Sequence, residues 1–241
     1  MAAAFGVPAF GQRPVHIFLA GDSTMAAKAE DKRPETGWGE RLEERFRPGA
    51  VKVENRAMNG RSTKSFIDEG RWQKIIDDLQ RGDWVFIQFG HNDQKKDSPE
   101  RYASPEDYKK NLIRFIDEVK AKGGNPLLLT PVVRRRFEED GRFFDTHGEY
   151  PEIVRATANE QKVQLIDLHK SSGEMVARFG PEGSKKFFLH LKPGKSENYP
   201  KGIEDDTHFS HYGAFIMATA VAGEIRSSRS ELSQLLKRTD R

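Results

Sequence analysis

The chain has 241 residues, 32% of them charged and 36% hydrophobic, which is enough to bury the core of one α/β domain but leaves no apolar run able to cross a bilayer. Its 40 basic and 37 acidic side chains give a net charge of only +3, with both signs interspersed, which argues against a nucleic-acid partner. The absence of cysteine excludes disulfides, metal–thiolate centres and a thiol nucleophile.

Residues 1–13 are small and largely apolar, with neither a basic leader nor a long apolar stretch. They are expected to be an N-terminal extension, either what remains of a trimmed export signal or added residues. Five short aliphatic runs then predict buried parallel strands: Val15–Ala20, Val51–Asn55, Trp84–Gly90, Pro126–Thr130 and Val163–Leu168. Helical periodicity falls between them, over 37–46, 71–79, 105–122, 150–160, 170–179 and 212–227. The third helix has the plainest signals: Ser104 to cap it, Pro105 for its first turn, Tyr108, Leu112, Phe115 and Val119 in one stripe, and Gly123-Gly124 to end it. Residues 180–206 carry Gly, Pro, Lys and Ser without clear period and predict a surface loop. Residues 229–241 predict a polar C-terminal tail.

This alternation predicts a sheet covered by helices on both faces. A flavodoxin-like strand order 2-1-3-4-5 would place the carboxyl ends of the first three strands side by side at the topological switch point. Just past those ends come Gly21-Asp22-Ser23, Asn59-Gly60 and Gly90-His91-Asn92-Asp93. Ser23 is the candidate nucleophile. A hydroxyl needs a base within hydrogen-bond reach, and that base needs an acid to hold its tautomer. His208, with Asp205 three residues earlier, supplies such a pair. Asp206 is the competing acid and His211 the competing base. The order Ser, Asp, His occurs without a G-x-S-x-G elbow, which argues against the α/β-hydrolase fold.

Gly21-Asp22-Ser23, Gly60, Asn92 and Asp205-x-x-His208 together resemble the SGNH branch of the GDSL hydrolases. The resemblance spans nearly the whole chain. The blocks Ala20–Met25, Gly37-Trp38-Gly39, Asn55–Ser62, Phe66–Trp72, Phe89–Gln94 and Asp206–Ser210 are most similar to the rhamnogalacturonan acetylesterases. The resemblance implies a three-layer flavodoxin-like (SGNH hydrolase) fold with a five-stranded parallel sheet, and a catalytic domain over 14–228. It also implies an oxyanion hole made of the Ser23 and Gly60 backbone N–H groups and the Asn92 side-chain amide. Gly60 suits a donor turn because it has no Cβ, and Asn92 offers an NH₂ that a carboxylate lacks. A helix opening at Ser23 would add a favourable potential for the oxyanion.

The expected reaction is removal of acetyl groups from an acetylated plant polysaccharide or oligosaccharide, with rhamnogalacturonan first and acetylated xylan or a small carbohydrate ester as the alternative. No cofactor is expected, and no metal, since no H-E-x-x-H or similar ligand spacing occurs. Trp38, Arg61, Gln94 and His147 are candidate substrate contacts, with core packing the competing role for Trp38. His91 and Asp93 are expected to orient the Asn92 loop. The run Arg134-Arg135-Arg136 is a candidate contact for an acidic polymer or a solvated charge run. A polymer-acting esterase would be secreted or periplasmic, and a monomer would suffice. A non-catalytic carbohydrate-binding descendant would be expected to have lost Ser23 or His208, and both remain.

Overall fold

The computed structural model describes residues 13–238; the expected extension at 1–12 and the last three residues of the expected tail lie outside them. Strands β1 (Val15–Gly21), β2 (Val51–Asn55), β3 (Trp84–Gln88), β4 (Asn125–Leu129) and β5 (Gln164–Ile166) form one sheet in the order β2-β1-β3-β4-β5. Every pairing in it is parallel. The central strands β1 and β3 are buried on both faces, which is why they are continuous apolar runs rather than alternating ones.

Two apolar clusters lie on opposite faces of the sheet. Ile17, Leu19, Phe86, Leu127 and Leu129 point to one, where α5 (Leu168–Gly183) and α6 (His211–Ser228) add Val176, Met217 and Val221. Phe18, Ala20, Val85, Ile87 and Leu128 point to the other. There they meet α1 (Thr63–Asp68), α2 (Arg71–Asp78), α3 (Pro105–Ala121) and α4 (Tyr150–Gln161). Trp72 and Phe66 belong to this second cluster, with Trp72 stacked on Phe115 at 4.0 Å between ring centroids. Each such large side chain stabilises the fold by about 1.5–3 kcal/mol through burial. Helix α3 is capped as its sequence indicates: the Ser104 hydroxyl accepts from the Asp107 N–H at 3.1 Å.

Four segments differ from expectation. Residues 37–46 form two short 3-10 turns, Trp38–Arg41 and Glu43–Arg45, rather than an α-helix. Their backbone is tied to the loop after β1, with Trp38 N–H on the Thr24 carbonyl and Gly39 N–H on the Met25 carbonyl. The six-residue α1 is too short to show a helical period. Within the expected loop at 180–206, strand β6 (Phe188–Leu191) pairs antiparallel with β7 (Ile203–Phe209). After α6, the chain does not fray among the described residues: Leu232 and Leu236 are buried and Leu236 bridges to Phe46.

The β6–β7 hairpin is clamped at its end by α6. Ser210 caps that helix, accepting from Gly213 N–H at 3.1 Å, while its own N–H donates to the Phe187 carbonyl. Gly213 lies so near this carbonyl that a Cβ would stand 1.8 Å from the oxygen. Gly213→Ala therefore must push α6 away from the hairpin. Overpacking of this kind costs about 1–3 kcal/mol, and a thermal melt should fall by about 2–4 °C for each kcal/mol in a chain of this size. An unchanged melting temperature would contradict the packing described.

Candidate active site

β1 ends at Gly21, and the chain turns at once, with Met25 and Ala26 N–H groups both donating to the Asp22 carbonyl. Ser23 sits in this turn and not at a helix N-terminus, so the helix potential expected there is absent. The turn is built on a buried polar chain. The Trp38 indole N–H donates to Gln88 Oε1 at 2.8 Å, Gln88 Nε2 donates to Thr24 Oγ1 at 2.7 Å, and Thr24 Oγ1 donates to Asp22 Oδ1 at 2.8 Å. The Thr24 backbone N–H donates to the same Asp22 oxygen. Asp22 Oδ2 lies 3.2 Å from His91 Nδ1. Burial works to raise the Asp22 carboxyl, but His91 and the Thr24 donors overcome it and hold it at about 2.

Lys28 ties this turn to its neighbours, and nothing in the sequence marks it. Its side chain is 1% exposed. Nζ donates to the Ser23 carbonyl at 2.6 Å, to Asn59 Oδ1 at 2.9 Å and to Glu35 Oε1 at 2.7 Å, which engages all three ammonium donors. It thus couples Ser23 to the turn carrying Gly60.

Across the cleft, β7 carries Asp205 and His208. In a regular strand residues three apart face opposite sides, yet here their side chains meet. The register explains it: Phe188 pairs with Phe209 while Leu189 pairs with Asp205, so one step on β6 spans four on β7. In the bulge, Asp205 Oδ1 accepts from the N–H groups of Thr207 and His208 at 2.8 and 2.9 Å. Its Oδ2 lies 2.7 Å from His208 Nδ1, and His208 Nε2 lies 2.9 Å from Ser23 Oγ. Burial works to raise the Asp205 carboxyl, but His208 and the two backbone donors hold it at about 2.

Asp206, the competing acid, points elsewhere: its carboxylate receives Arg135 at 2.6 Å, His190 Nε2 at 2.8 Å and Arg136 at 3.4 Å. His211 starts α6 and lines a different cavity.

Gly60 has φ +76°, a conformation that glycine adopts without steric cost. Asn92 Nδ2 donates to the Arg61 carbonyl at 3.0 Å, which uses one of its two N–H groups and fixes the turn after Gly60. The loop holding Asn92 is anchored by Asp93, whose carboxylate accepts from Thr63 N–H, Thr63 Oγ1 and Gly90 N–H. Burial pushes the Asp93 carboxyl up to about 7 in spite of the Thr63 hydrogen bonds. Ser23, Asn59, Gly60, Arg61, Asn92 and His208 line one open cleft of about 500 Å³.

The candidate substrate contacts divide. Arg61 lines the cleft, but its Nε is engaged by Glu69 at 3.0 Å and its Nη1 by the Asn59 carbonyl at 2.8 Å. Trp38 is fully buried beneath the Ser23 turn and does not reach the cleft. Gln94 is half-buried and is not among the cleft-lining residues. His147 is buried, with Nδ1 3.0 Å from Asp145 Oδ1 and its ring edge-on to His91; burial pushes its imidazole down to about 3. Asp145 also meets His169 Nε2 at 2.8 Å, and one atom from each of the three groups lies within 4.8 Å of the others, while the buried His147 Nε2 has no hydrogen-bond partner among the described residues. Two members of the arginine run are turned inward: Arg134 holds the His91 carbonyl and Thr146, and Arg135 holds Asp206 and the Pro181 carbonyl, whereas Arg136 is exposed and meets Asp206 at 3.4 Å.

Residues 19–214 match the family described as GDSL-like lipase/acylhydrolase. The chain belongs to this family. It is 43% identical over 211 residues to the rhamnogalacturonan acetylesterase RhgT of Bacillus subtilis, covering 88% of this chain and 89% of that protein. It is 28% identical over 244 residues to a rhamnogalacturonan acetylesterase of Emericella nidulans, covering 93% and 90%. Among solved structures, the Bacillus subtilis protein YxiM superposes with TM-score 0.75 at 26% identity, over 89% of this chain and 57% of that one. Axe2, an acetylxylan esterase from Geobacillus stearothermophilus, superposes with TM-score 0.62 at 21% identity, over 88% and 95%. The last likeness carries the fold, the three-layer arrangement of SGNH hydrolases.

Two outcomes follow from this geometry. Lys28→Met leaves Glu35 without its buried cation and frees the Ser23 turn, so kcat should fall about 10- to 100-fold through misplacement with KM little changed. Stability should fall by about 3–5 kcal/mol; adding Glu35→Gln should recover the melting temperature but not kcat, and recovery of both would contradict the coupling. Because the Asp22 and Asp205 carboxyls sit at about 2 against an ordinary 3.8, the folded state binds their protons less readily than the unfolded chain. Their stabilisation is complete above about pH 4 and is lost as pH falls through about 2. Urea unfolding across this range should show the decline, and Asp205→Asn should reduce it to the part carried by Asp22.

Proposed function

We propose that this chain is a serine esterase that removes acetyl groups from a plant cell-wall polysaccharide, with acetylated rhamnogalacturonan as substrate. The observation that carries the reading is the Asp205–His208–Ser23 relay, at 2.7 and 2.9 Å, opening onto a cleft that also presents Gly60 and Asn92. The two relatives named rhamnogalacturonan acetylesterases support the substrate.

Ser23 Oγ attacks the acetyl carbonyl carbon while His208 Nε2 accepts its proton. Asp205 stays ionised throughout, keeps the His208 Nδ1 proton in place and stabilises the imidazolium. Charge building on the carbonyl oxygen is met by the Ser23 and Gly60 N–H groups and by Asn92 Nδ2, each donor worth roughly 3 kcal/mol in the transition state. Collapse of the tetrahedral intermediate expels the sugar hydroxyl, which takes its proton from His208. Water then attacks the acetyl-enzyme with His208 again as base, and acetate leaves.

No helix among the described residues is long and apolar enough to cross a membrane. A wall polymer is met outside the cytoplasm, so the site of action we propose is secreted or periplasmic. Acetylated xylan is the second reading, favoured by the fold likeness to Axe2.

Acetate release from acetylated rhamnogalacturonan and acetylated xylan, followed side by side, tests the reading. Release from the pectic polymer is expected to exceed release from xylan, and Ser23→Ala, His208→Ala and Asp205→Asn should each lower kcat about 10⁴-fold without loss of fold. A variant of Ser23 or His208 with full activity would overturn the mechanism, and faster release from xylan would overturn the substrate.

A further inference from the structure

The cleft beside Ser23 is lined by more cations than carboxylates, and one of those cations has no ionic partner among the described residues. Five charged side chains line it besides His208: Arg61, Lys95 and Arg101 against Glu69 and Glu100. Glu69 is shared by Arg61 and Arg71 at 3.0 and 2.5 Å, and Glu100 is held by Arg101 Nε at 3.1 Å. Among the described residues the Lys95 ammonium has no hydrogen bond or ion pair, while the Arg101 guanidinium is paired with Glu100 through Nε and its terminal nitrogens make no hydrogen bond. Arg101 Nη1 reaches over the oxyanion turn, 3.9 Å from where a Cβ on Gly60 would stand.

A half-buried ammonium next to a guanidinium is costly unless something negative joins it. Burial, with the nearby Arg101 and Arg134, pushes the Lys95 ammonium below its ordinary value against the smaller opposing pull of Asp97 and Asp22. A neutral sugar ester has no use for this pair. The fixed loop Gly90–Ala103, anchored by Asp93 to Gly90 and Thr63 and by Ala103 N–H to the Asp93 carbonyl, holds both cations against the wall that carries Asn92.

We propose that Lys95 and Arg101 form a carboxylate subsite that binds a uronate of the substrate chain adjacent to the acetylated sugar. This rests on the acetylesterase reading above. It gives the cleft a charge preference: acetyl groups on an acidic chain are hydrolysed faster than the same groups on a chain whose carboxyls are masked. The contribution is to substrate binding, with Lys95 acting as a point charge and Arg101 offering its planar fork.

The test compares kcat/KM for an O-acetylated rhamnogalacturonan oligosaccharide with that for the same oligosaccharide after methyl esterification of its galacturonate carboxyls. Wild-type protein should prefer the free acid about ten-fold, the scale of one charge-assisted contact at a partly wet site, and the preference should lie in KM and shrink with added salt. Lys95→Met and Arg101→Met should each bring the ratio towards one, and Lys95→Glu should invert it. Equal kcat/KM on both forms in wild type, with acetate still released, overturns the subsite and leaves the esterase reading standing. A preference that survives in all three variants overturns it too. So does a fall of p-nitrophenyl acetate turnover in step with that of the acid, which would put Lys95 on the reacting oxygen. Failure to release acetate from any ester removes both readings together.

Discussion

The site rests on one buried carboxylate. Asp22 lies wholly out of solvent at the end of β1, and a buried charge is costly unless it is paired and hydrogen-bonded. Thr24 donates to one of its oxygens twice, Gln88 on β3 donates to Thr24, and Trp38 in the 3-10 segment donates to Gln88, while His91 from the loop after β3 stands 3.2 Å from the other oxygen as an ionic neighbour. Satisfying Asp22 therefore fixes four segments relative to one another. Ser23, the next residue, inherits that rigidity without itself being buried, which suits the nucleophile we propose it to be.

The parallel sheet and the antiparallel hairpin divide the labour. Order β2-β1-β3 brings the loops holding Gly60, Ser23 and Asn92 side by side, and Lys28 and Asn92 cross-link them by donating to the Ser23, Asn59 and Arg61 backbone or side-chain oxygens. His208 arrives from outside the sheet. A bulge in β7 gathers Asp205 and His208 on one side, and Arg135 and Arg136 draw Asp206 away. Three consecutive acids thus separate into one that serves the imidazole, one that braces the hairpin, and Glu204, which pairs opposite His190 in the strand.

Much of this was legible in the chain. Parallel strands buried on both faces must be continuous apolar runs, so β1 to β5 stand out, and their order follows from where the polar loops need to converge. Ser23, Gly60, Asn92, Asp205 and His208 are legible because each follows a strand end or keeps a short fixed spacing. The hairpin is not, because β7 is polar and bulged and shows no period of two. Trp38 takes its competing core role and His147 is buried for a shared reason: an aromatic or imidazole beside a site in sequence can serve beneath it, and burial is a property of the whole fold. Lys28 left no local trace, since its partner Asn59 lies 31 residues away. The basic run at 134–136 is conspicuous in sequence, yet Arg134 and Arg135 are engaged by the fold itself, because a charge's availability depends on which partners the fold supplies.

The account centres on Ser23 as the nucleophile, made so by His208. Treating the protein with a fluorophosphonate, then mapping the adduct by peptide mass spectrometry while following residual esterase activity, tests that directly. The account predicts one adduct per chain, on Ser23, with activity lost in proportion to labelling and labelling slowed by substrate. An adduct on another serine that accompanies inactivation, or full activity after Ser23 is labelled, would contradict it.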